Sequence, residues 1–432
     1  MATTAVPLRA RIPLRLPDAV SALGERDFRI MWAGQAVSLC GTWMQVVAQG
    51  LLVLQLWDSA FALGAMNFAN ALPTLLVMLF GGVLADRGDK RRIMLVTQVV
   101  MAALALIVGF LIVADLVQFW LLLVVAGVAG VAIGYDMPAA QAFLPELVPP
   151  EKIGQVVALN SSTFHGSRMV GPALAGGIIA ASSLSVAYFL NAASFVAVIL
   201  ALMVVRSRPV RQAAGHGMSA IHGLREGLRH ARGRPNLQAL LLLTGLNTAF
   251  LFPSMAILSA FYVKDVLDQG EVVLGLLFMA SGIGSVVGAL MLIWWTGSRA
   301  GRIWAGVIVA PLALCVMALT RQPALAIVAA GVLSLAFSSQ LGLVQTIIQE
   351  STPAEFRGRV MSLHGIMFNG TMPFAGLASA GLVVALGMPV VMVISAALFG
   401  ITACWVLRFS AGGIGEVVRL SAVEYEAVAA AR

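Results

Sequence analysis

Between Phe28 and Arg408 the chain is a succession of long apolar runs separated by short, charged turns. A helix needs about 20 apolar residues to cross the hydrocarbon core of a bilayer, and backbone entering that core must satisfy its own hydrogen bonds. The runs therefore predict membrane-spanning helices at roughly 28–55, 62–84, 93–114, 118–142, 154–181, 185–206, 237–263, 273–296, 303–320, 324–349, 360–386 and 389–408. Only 11% of residues are charged and 60% are hydrophobic, whereas soluble domains carry about 25% charged residues. The expected fold class is all-α integral membrane, with twelve transmembrane helices in two six-helix bundles related by pseudo-twofold symmetry.

Charge then sets orientation. The net charge of +8 would suggest nucleic acid in a soluble protein, but here the basic residues lie in turns and termini and report topology. Only Lys264 and Arg321 fall in the odd-numbered loops. That asymmetry places both termini in the cytoplasm of an inner (plasma) membrane protein. The division expected is a cytoplasmic segment 1–27, a bundle 28–206, a linker 207–236, a second bundle 237–408 and a cytoplasmic tail 409–432. Residues 1–27 hold no uninterrupted apolar core of the signal-peptide kind. In the linker, Ile221, Leu224, Leu228 and Ala231 share one helical face and Arg225, Arg229 and Arg232 another. This is the pattern either of an amphipathic helix on the inner membrane surface or of a plain basic connection. Cys40, Cys315 and Cys404 lie in apolar runs, so neither a disulfide framework nor a metal site is expected. No cofactor and no nucleic-acid partner are expected.

The two halves repeat. Gln141, Glu146, Pro149, Glu151, Gly154, Val156, Leu159, Phe164 and Gly166 recur, shifted by 204 residues, as Gln345, Glu350, Pro353, Glu355, Gly358, Val360, Leu363, Phe368 and Gly370. The first stretch closes span 4 and opens span 5; the second does the same for spans 10 and 11.

One turn carries a motif. In Gly82-Val-Leu-Ala-Asp86-Arg87-Gly-Asp89-Lys90-Arg91-Arg92, six charges follow one another within seven residues, between two apolar runs. Gly82, Asp86, Arg87, Lys90 and Arg91 match the loop between helices 2 and 3 of major facilitator superfamily transporters, and the chain resembles that superfamily. Asp89 replaces the usual second glycine, a form similar to the subgroup of the enterobactin exporter and related secretion-type permeases. The resemblance implies the major facilitator fold and a gate on the cytoplasmic face. Asp86 would reach the start of span 11, near Gly358 to Met361, flanked by Arg357 and Arg359, because helix N-termini attract carboxylates. Glu146 and Glu350 would join Arg87, Lys90 and Arg91 on one side and Arg357 and Arg359 on the other. Solvated loop charge is the alternative for all of these residues.

Ionisable groups inside spans are costly and are usually functional or paired. Asp136 in span 4 and Arg168 in span 5 are candidates for a fixed ion pair or for switchable charge lining a path; Asp136 could instead meet Arg91. His165 and His364 titrate near neutrality and could carry a coupling proton, or simply be hydrogen-bonded. Gly171, Pro172, Gly176 and Gly177 are similar to the glycine-proline signature of the superfamily's antiporters, with three residues in place of two between Pro172 and the paired glycines. Small residues and a kink there allow close, mobile packing. Gln45, Gln49, Asn67, Asn70, Asn247, Phe250, Ser339, Gln340 and Asn369 are candidates for a moderately polar cavity, although membrane amides often bond neighbouring helices instead.

The function expected is secondary active transport by alternating access. The resemblance implies proton-coupled export of a small amphipathic molecule, a siderophore or drug-like compound, by a monomer in the lipid bilayer. The alternatives are movement of a lipid-like substrate between leaflets and a non-transporting assembly factor. No phosphate-binding loop is present. No nucleophile–base cluster occupies the loop Lys264 to Glu271, so an enzyme is not expected.

Overall fold

The computed structural model describes residues 21–87, 89–205, 220–232, 234–294 and 298–409, without the side chains of residues 79–87, 158, 161, 165, 220–224, 293–294, 354–355 and 409. Ten of its helices are long and apolar enough to cross a membrane. Two more helical passes complete the expected twelve: Ile153–Ala181, made polar by Asn160, Thr163, Ser167 and Arg168, and Pro235–Val266, which is broken into short turns. The spans in order are Arg26–Trp57, Ala60–Arg87, Lys90–Val113, Phe119–Phe143, Ile153–Ala181, Leu184–Val204, Pro235–Val266, Glu271–Trp294, Arg299–Leu319, Pro323–Ser351, Ala354–Leu386 and Met388–Phe409. They are called spans 1 to 12 below. Asp89 caps span 3, its carboxylate accepting from the Arg92 amide, and the Ser298 hydroxyl caps span 9 by accepting from Gly301.

Helix neighbours follow a twofold rule. Span 2 packs on 4, 3 on 4 and 6, and 1 on 5 and 6; six spans later, 8 packs on 10, 9 on 10 and 12, and 7 on 11 and 12. Across the halves, span 5 meets 8 and span 11 meets 2. These last two contacts are repeats of each other in detail. A β-carbon on Gly275 of span 8 would lie 3.2 Å from the Pro172 carbonyl oxygen and 3.2 Å from Gly176 Cα. One on Gly64 of span 2 would lie 3.2 Å from the Gly376 carbonyl oxygen and would collide with Ala380. Pro172 and Gly176 become Gly376 and Ala380 under the same 204-residue shift. Apolar association contributes little between helices in lipid, so close backbone approach at small residues supplies the contact.

Both crossings lie within a turn or two of the odd-numbered loops, on the side opposite the linker. There too, Lys264 of span 7 pairs with Asp58 after span 1 at 2.7 Å. Toward the linker side the same helices open out. Gly154, Gly166, Gly358 and Gly365 have nothing within 4 Å of a would-be β-carbon, and Val157 is exposed. Among the described residues, the two repeat-related crossings between the halves thus lie on the side of the odd-numbered loops.

The linker helix Ala220–Arg232 packs on the start of span 11. Glu226 pairs with Arg359 at 2.7 Å, and His230 stacks on Phe356 with centroids 4.3 Å apart. Arg225, Arg229 and Arg232 are exposed, as the amphipathic pattern expects, but Leu228 is exposed too. The helix lies against protein through Gly227 and Ala231, both buried. The membrane-facing exterior is apolar, with Trp120, Leu319 and Ile401 among its most exposed side chains.

Candidate functional site

Span 4 brings Asp136 against span 3, two residues before Pro138, which cannot donate to the carbonyl one turn earlier. The Thr97 hydroxyl donates to the Asp136 carboxylate at 2.6 Å, and the Gln98 amide donates to both its oxygens at 3.2 Å. The same Thr97 hydroxyl lies 2.9 Å from the Met94 carbonyl. No cation pairs with Asp136 among the described residues. The expected pair with Arg168 does not form, because Asp136 turns toward span 3 and away from span 5. The alternative with Arg91 does not form either, as that guanidinium donates to the Met203 carbonyl at 3.2 Å. Thr97 and Gln98 were not singled out from the sequence. Their signal was two adjacent polar residues in an otherwise apolar run.

Span 5 lays Phe164, Arg168 and Gly171 along one face, toward span 1. The Arg168 guanidinium carbon sits 5.5 Å from the Trp43 ring centroid, and Trp43 meets Phe164 edge-on at 5.9 Å. A β-carbon on Gly171 would lie 2.6 Å from the Cys40 carbonyl oxygen and 2.7 Å from Trp43 Cβ, so glycine sets the distance between the two helices there. Of the glycine-proline stretch, Gly171 serves span 1 and Pro172 and Gly176 serve span 8, whereas Gly177 faces open space. The side chain of His165 lies outside the described residues. His364 is buried, and its Nε2 has no hydrogen-bond partner.

On the linker side, Glu146 pairs with Lys90, and its repeat mate Glu350 pairs with Arg299 at 2.5 Å. Each glutamate thus holds the first residue of span 3 or span 9 within its own half. The expected partners of Glu350 are elsewhere: Arg359 engages Glu226 and Arg357 is exposed. The charges do not form one network across the halves among the described residues. The side chains of Gly82, Asp86 and Arg87 lie outside those residues, so the expected reach of Asp86 to span 11 does too.

Most of the expected cavity amides bond within their own bundle. Asn191 donates to Gln45 at 2.5 Å, and Asn70 donates to the Ala126 carbonyl at 3.1 Å. Asn247, Gln340 and Asn369 donate to the Leu243, Ile303 and Gly365 carbonyls. The Asn67 side-chain oxygen is buried without a partner beside Gly376 of the other half. Gln49, Phe250 and Ser339 are partly exposed, and Phe250 packs on the main core. Among the described residues no cluster of His, Cys, Asp and Glu could hold a metal.

The sequence profile of the transmembrane secretion effectors matches residues 18–425, the whole membrane region and some residues on either side. The chain belongs to this family of the major facilitator superfamily. It is therefore a multi-pass membrane transporter, and not an enzyme. It is 24% identical to macrolide efflux protein A of Streptococcus pyogenes over 82% of this chain and 88% of that one. It is 27% identical to the multidrug efflux pump Tap of Mycolicibacterium fortuitum, over 79% of this chain and 85% of the pump. A staphyloferrin A transporter of Staphylococcus aureus is 28% identical over 38% of this chain and 41% of its own. Among solved structures, the nucleoside transporter NupG superposes with a TM-score of 0.71 at 13% identity, covering 89% of this chain and all of NupG. A bacterial homologue of the lysosomal transporter Spinster, inward-facing and unoccupied, gives 0.63 at 14% identity over 93% of this chain and 98% of that one. These two likenesses concern the fold.

Proposed function

We propose that the protein is a secondary active exporter whose halves, 28–206 and 237–408, rock against each other about the 5·8 and 2·11 crossings. One observation carries the reading: the repeat-related pair of glycine crossings that joins the halves on the side of the odd-numbered loops. A backbone-close contact without interlocking side chains can break and re-form at small cost, as alternating access requires. Export is supported by the efflux relatives. The linker side is the cytoplasmic side of an inner membrane, supported by the distribution of Lys and Arg.

Protons are the coupling ion in this reading, and Asp136 is the carrier. A carboxylate held only by neutral donors in a span can exchange a proton without breaking an ion pair. The cargo is a small amphipathic molecule, siderophore or drug-like, moved by a monomer. Inverted membrane vesicles test this with an amphipathic siderophore and a drug-like carboxylate, 1-naphthaleneacetate, as probes. Uptake that needs an imposed proton gradient, and is lost in Asp136→Asn, is expected. Uptake indifferent to the gradient would remove the proton from the reading, and no uptake of any probe in a wider panel of siderophores and lipophilic cations would remove export.

A further inference from the structure

Arg168 has an unusual situation for a cation in a membrane helix. It is 9% exposed, and among the described residues neither an ion pair nor a hydrogen bond holds it; its Nε is sealed without an acceptor. Among those residues its partner is the Trp43 ring. Cations in spans ordinarily pair with carboxylates or backbone carbonyls, and an uncompensated buried charge is strongly unfavourable. The carboxylate of the neighbouring span 4, Asp136, is engaged by Thr97 and Gln98. The residue as a whole keeps a small accessible surface. Beside the guanidinium stands an apolar wall, Trp43 edge-on to Phe164, and Phe164 is 39% exposed. One turn further on, Gly171 locks span 5 onto span 1, and the Cys40 thiol lies 3.4 Å from the Ser167 hydroxyl, so the cluster sits on rigid backbone.

We propose that Arg168, Trp43 and Phe164 form a subsite for the carboxylate of an amphipathic anion, the guanidinium fork taking the carboxylate and the two rings taking the apolar body. A planar guanidinium matches a carboxylate with two parallel hydrogen bonds, and the bound anion supplies the charge that the protein leaves out. The inference rests on the transporter reading and narrows its cargo: the resemblance implied a small amphipathic molecule, and this subsite selects a monoanionic one.

The test is equilibrium binding to the purified full-length protein in detergent, by calorimetry at fixed ionic strength. The probes are 1-naphthaleneacetate, its uncharged amide, acetate and chloride. The carboxylate is expected to bind at least about tenfold more tightly than the amide, acetate or chloride. Arg168→Met should lose that tenfold, and Arg168→Lys should keep part of it. Without ligand, Arg168→Met should melt no lower than the parent, because it removes an unpaired buried charge; a clear loss of stability would assign Arg168 to the scaffold and overturn the proposal. Equal binding of the amide, unchanged carboxylate affinity in Arg168→Met, or no binding by the carboxylate would overturn it as well. Acetate or chloride binding as tightly as naphthaleneacetate would reduce the site to one for a small counter-ion. Because the measurement involves no transport, retained binding with silent vesicles would fail the exporter reading alone, and active vesicles without carboxylate binding would fail the subsite alone.

Discussion

The two halves share a backbone plan and differ in what they place on it. Thr97 of span 3 faces Asp136 of span 4; in the second half, Gly306 of span 9 faces Gln340 of span 10. The 204-residue shift relates Asp136 to Gln340 and Arg168 to Met372. Where the first half has a hydroxyl donating to a carboxylate, the second has an amide folded into the space over a glycine, donating to the Ile303 carbonyl at 3.3 Å. The first half thus holds the intramembrane charge at these positions and the second is neutral there. The second half instead carries irregular backbone. Asn247–Leu251, Pro253–Ile257, Tyr262–Val266 and Ile366–Gly370 are wound as π-helix, which loosens the regular hydrogen-bond ladder and is frequent at functional sites. The comparison teaches that duplication preserved the seams, the close helix crossings within each half, while the Asp136 carboxylate and the irregular backbone were assigned to different halves.

The seams themselves are the strongest test. Gly130 of span 4 abuts the Asn70 carbonyl, and Gly284 of span 8 abuts the Gly331 carbonyl. Backbone cannot yield as a side-chain tip can. Gly130→Val and Gly284→Val should each cost about 3 kcal/mol or more, seen as loss of the monodisperse peak in fluorescence-detected chromatography. If one is tolerated and the other is not, the seams are not equivalent.

Next comes the difference in charge. Asp136→Asn should reduce gradient-driven transport at least about tenfold, and by up to the ~10²–10⁴-fold that a positioned acid–base group contributes if no second carrier stands in for it. Gln340→Ala should change the rate less than about threefold, since its amide bonds within the bundle. Comparable losses from both in vesicle assays would erase the distinction between the halves.

The linker-side pairs sharpen it further. The Lys90–Glu146 pair has side chains 12% and 17% exposed, and Arg299–Glu350 has 35% and 42%. Surface pairs contribute about 0–1 kcal/mol, and breaking buried ones costs about 3–5 kcal/mol. Glu146→Gln should therefore lower stability by about 1–2 kcal/mol, and Glu350→Gln by less than 1 kcal/mol once solvent screening is allowed for. Matching melting temperatures for the two variants would refute the ordering.

The smallest expected effect is an absence. Asp136 and Arg168 do not touch, so a double-mutant cycle with Asp136→Asn and Arg168→Gln should show coupling below about 0.5 kcal/mol in thermal stability. A coupling of 2 kcal/mol would mean that the pair forms in another conformation of the transporter.

The sequence by itself determined the membrane class and the twofold plan, and its twelve spans are consistent with the ten long apolar helices and two further passes of the fold. Hydrocarbon admits few backbone solutions, and a run of some twenty apolar residues announces its helix whatever surrounds it. The duplicated Glu146 and Glu350 were also legible, and the fold gives each a basic partner at the head of a span. Which partner was not legible, since Arg299, Arg357 and Arg359 are all close to Glu350 along or across the chain and helix rotation selects among them. The same is true inside the membrane. Opposite charges on adjacent antiparallel helices suggested an Asp136–Arg168 pair, but a residue on a helix addresses one neighbour only, and a few tens of degrees of rotation decide which. Tertiary structure turned Asp136 toward Thr97 and Gln98 and Arg168 toward Trp43. It also returned most of the amides to their own bundles, because a membrane amide bonds the nearest backbone carbonyl before any cargo arrives. Periodicity carries the identity of a helix; its azimuth is set by packing against neighbours on other spans, and the chemistry of the site depends on that azimuth.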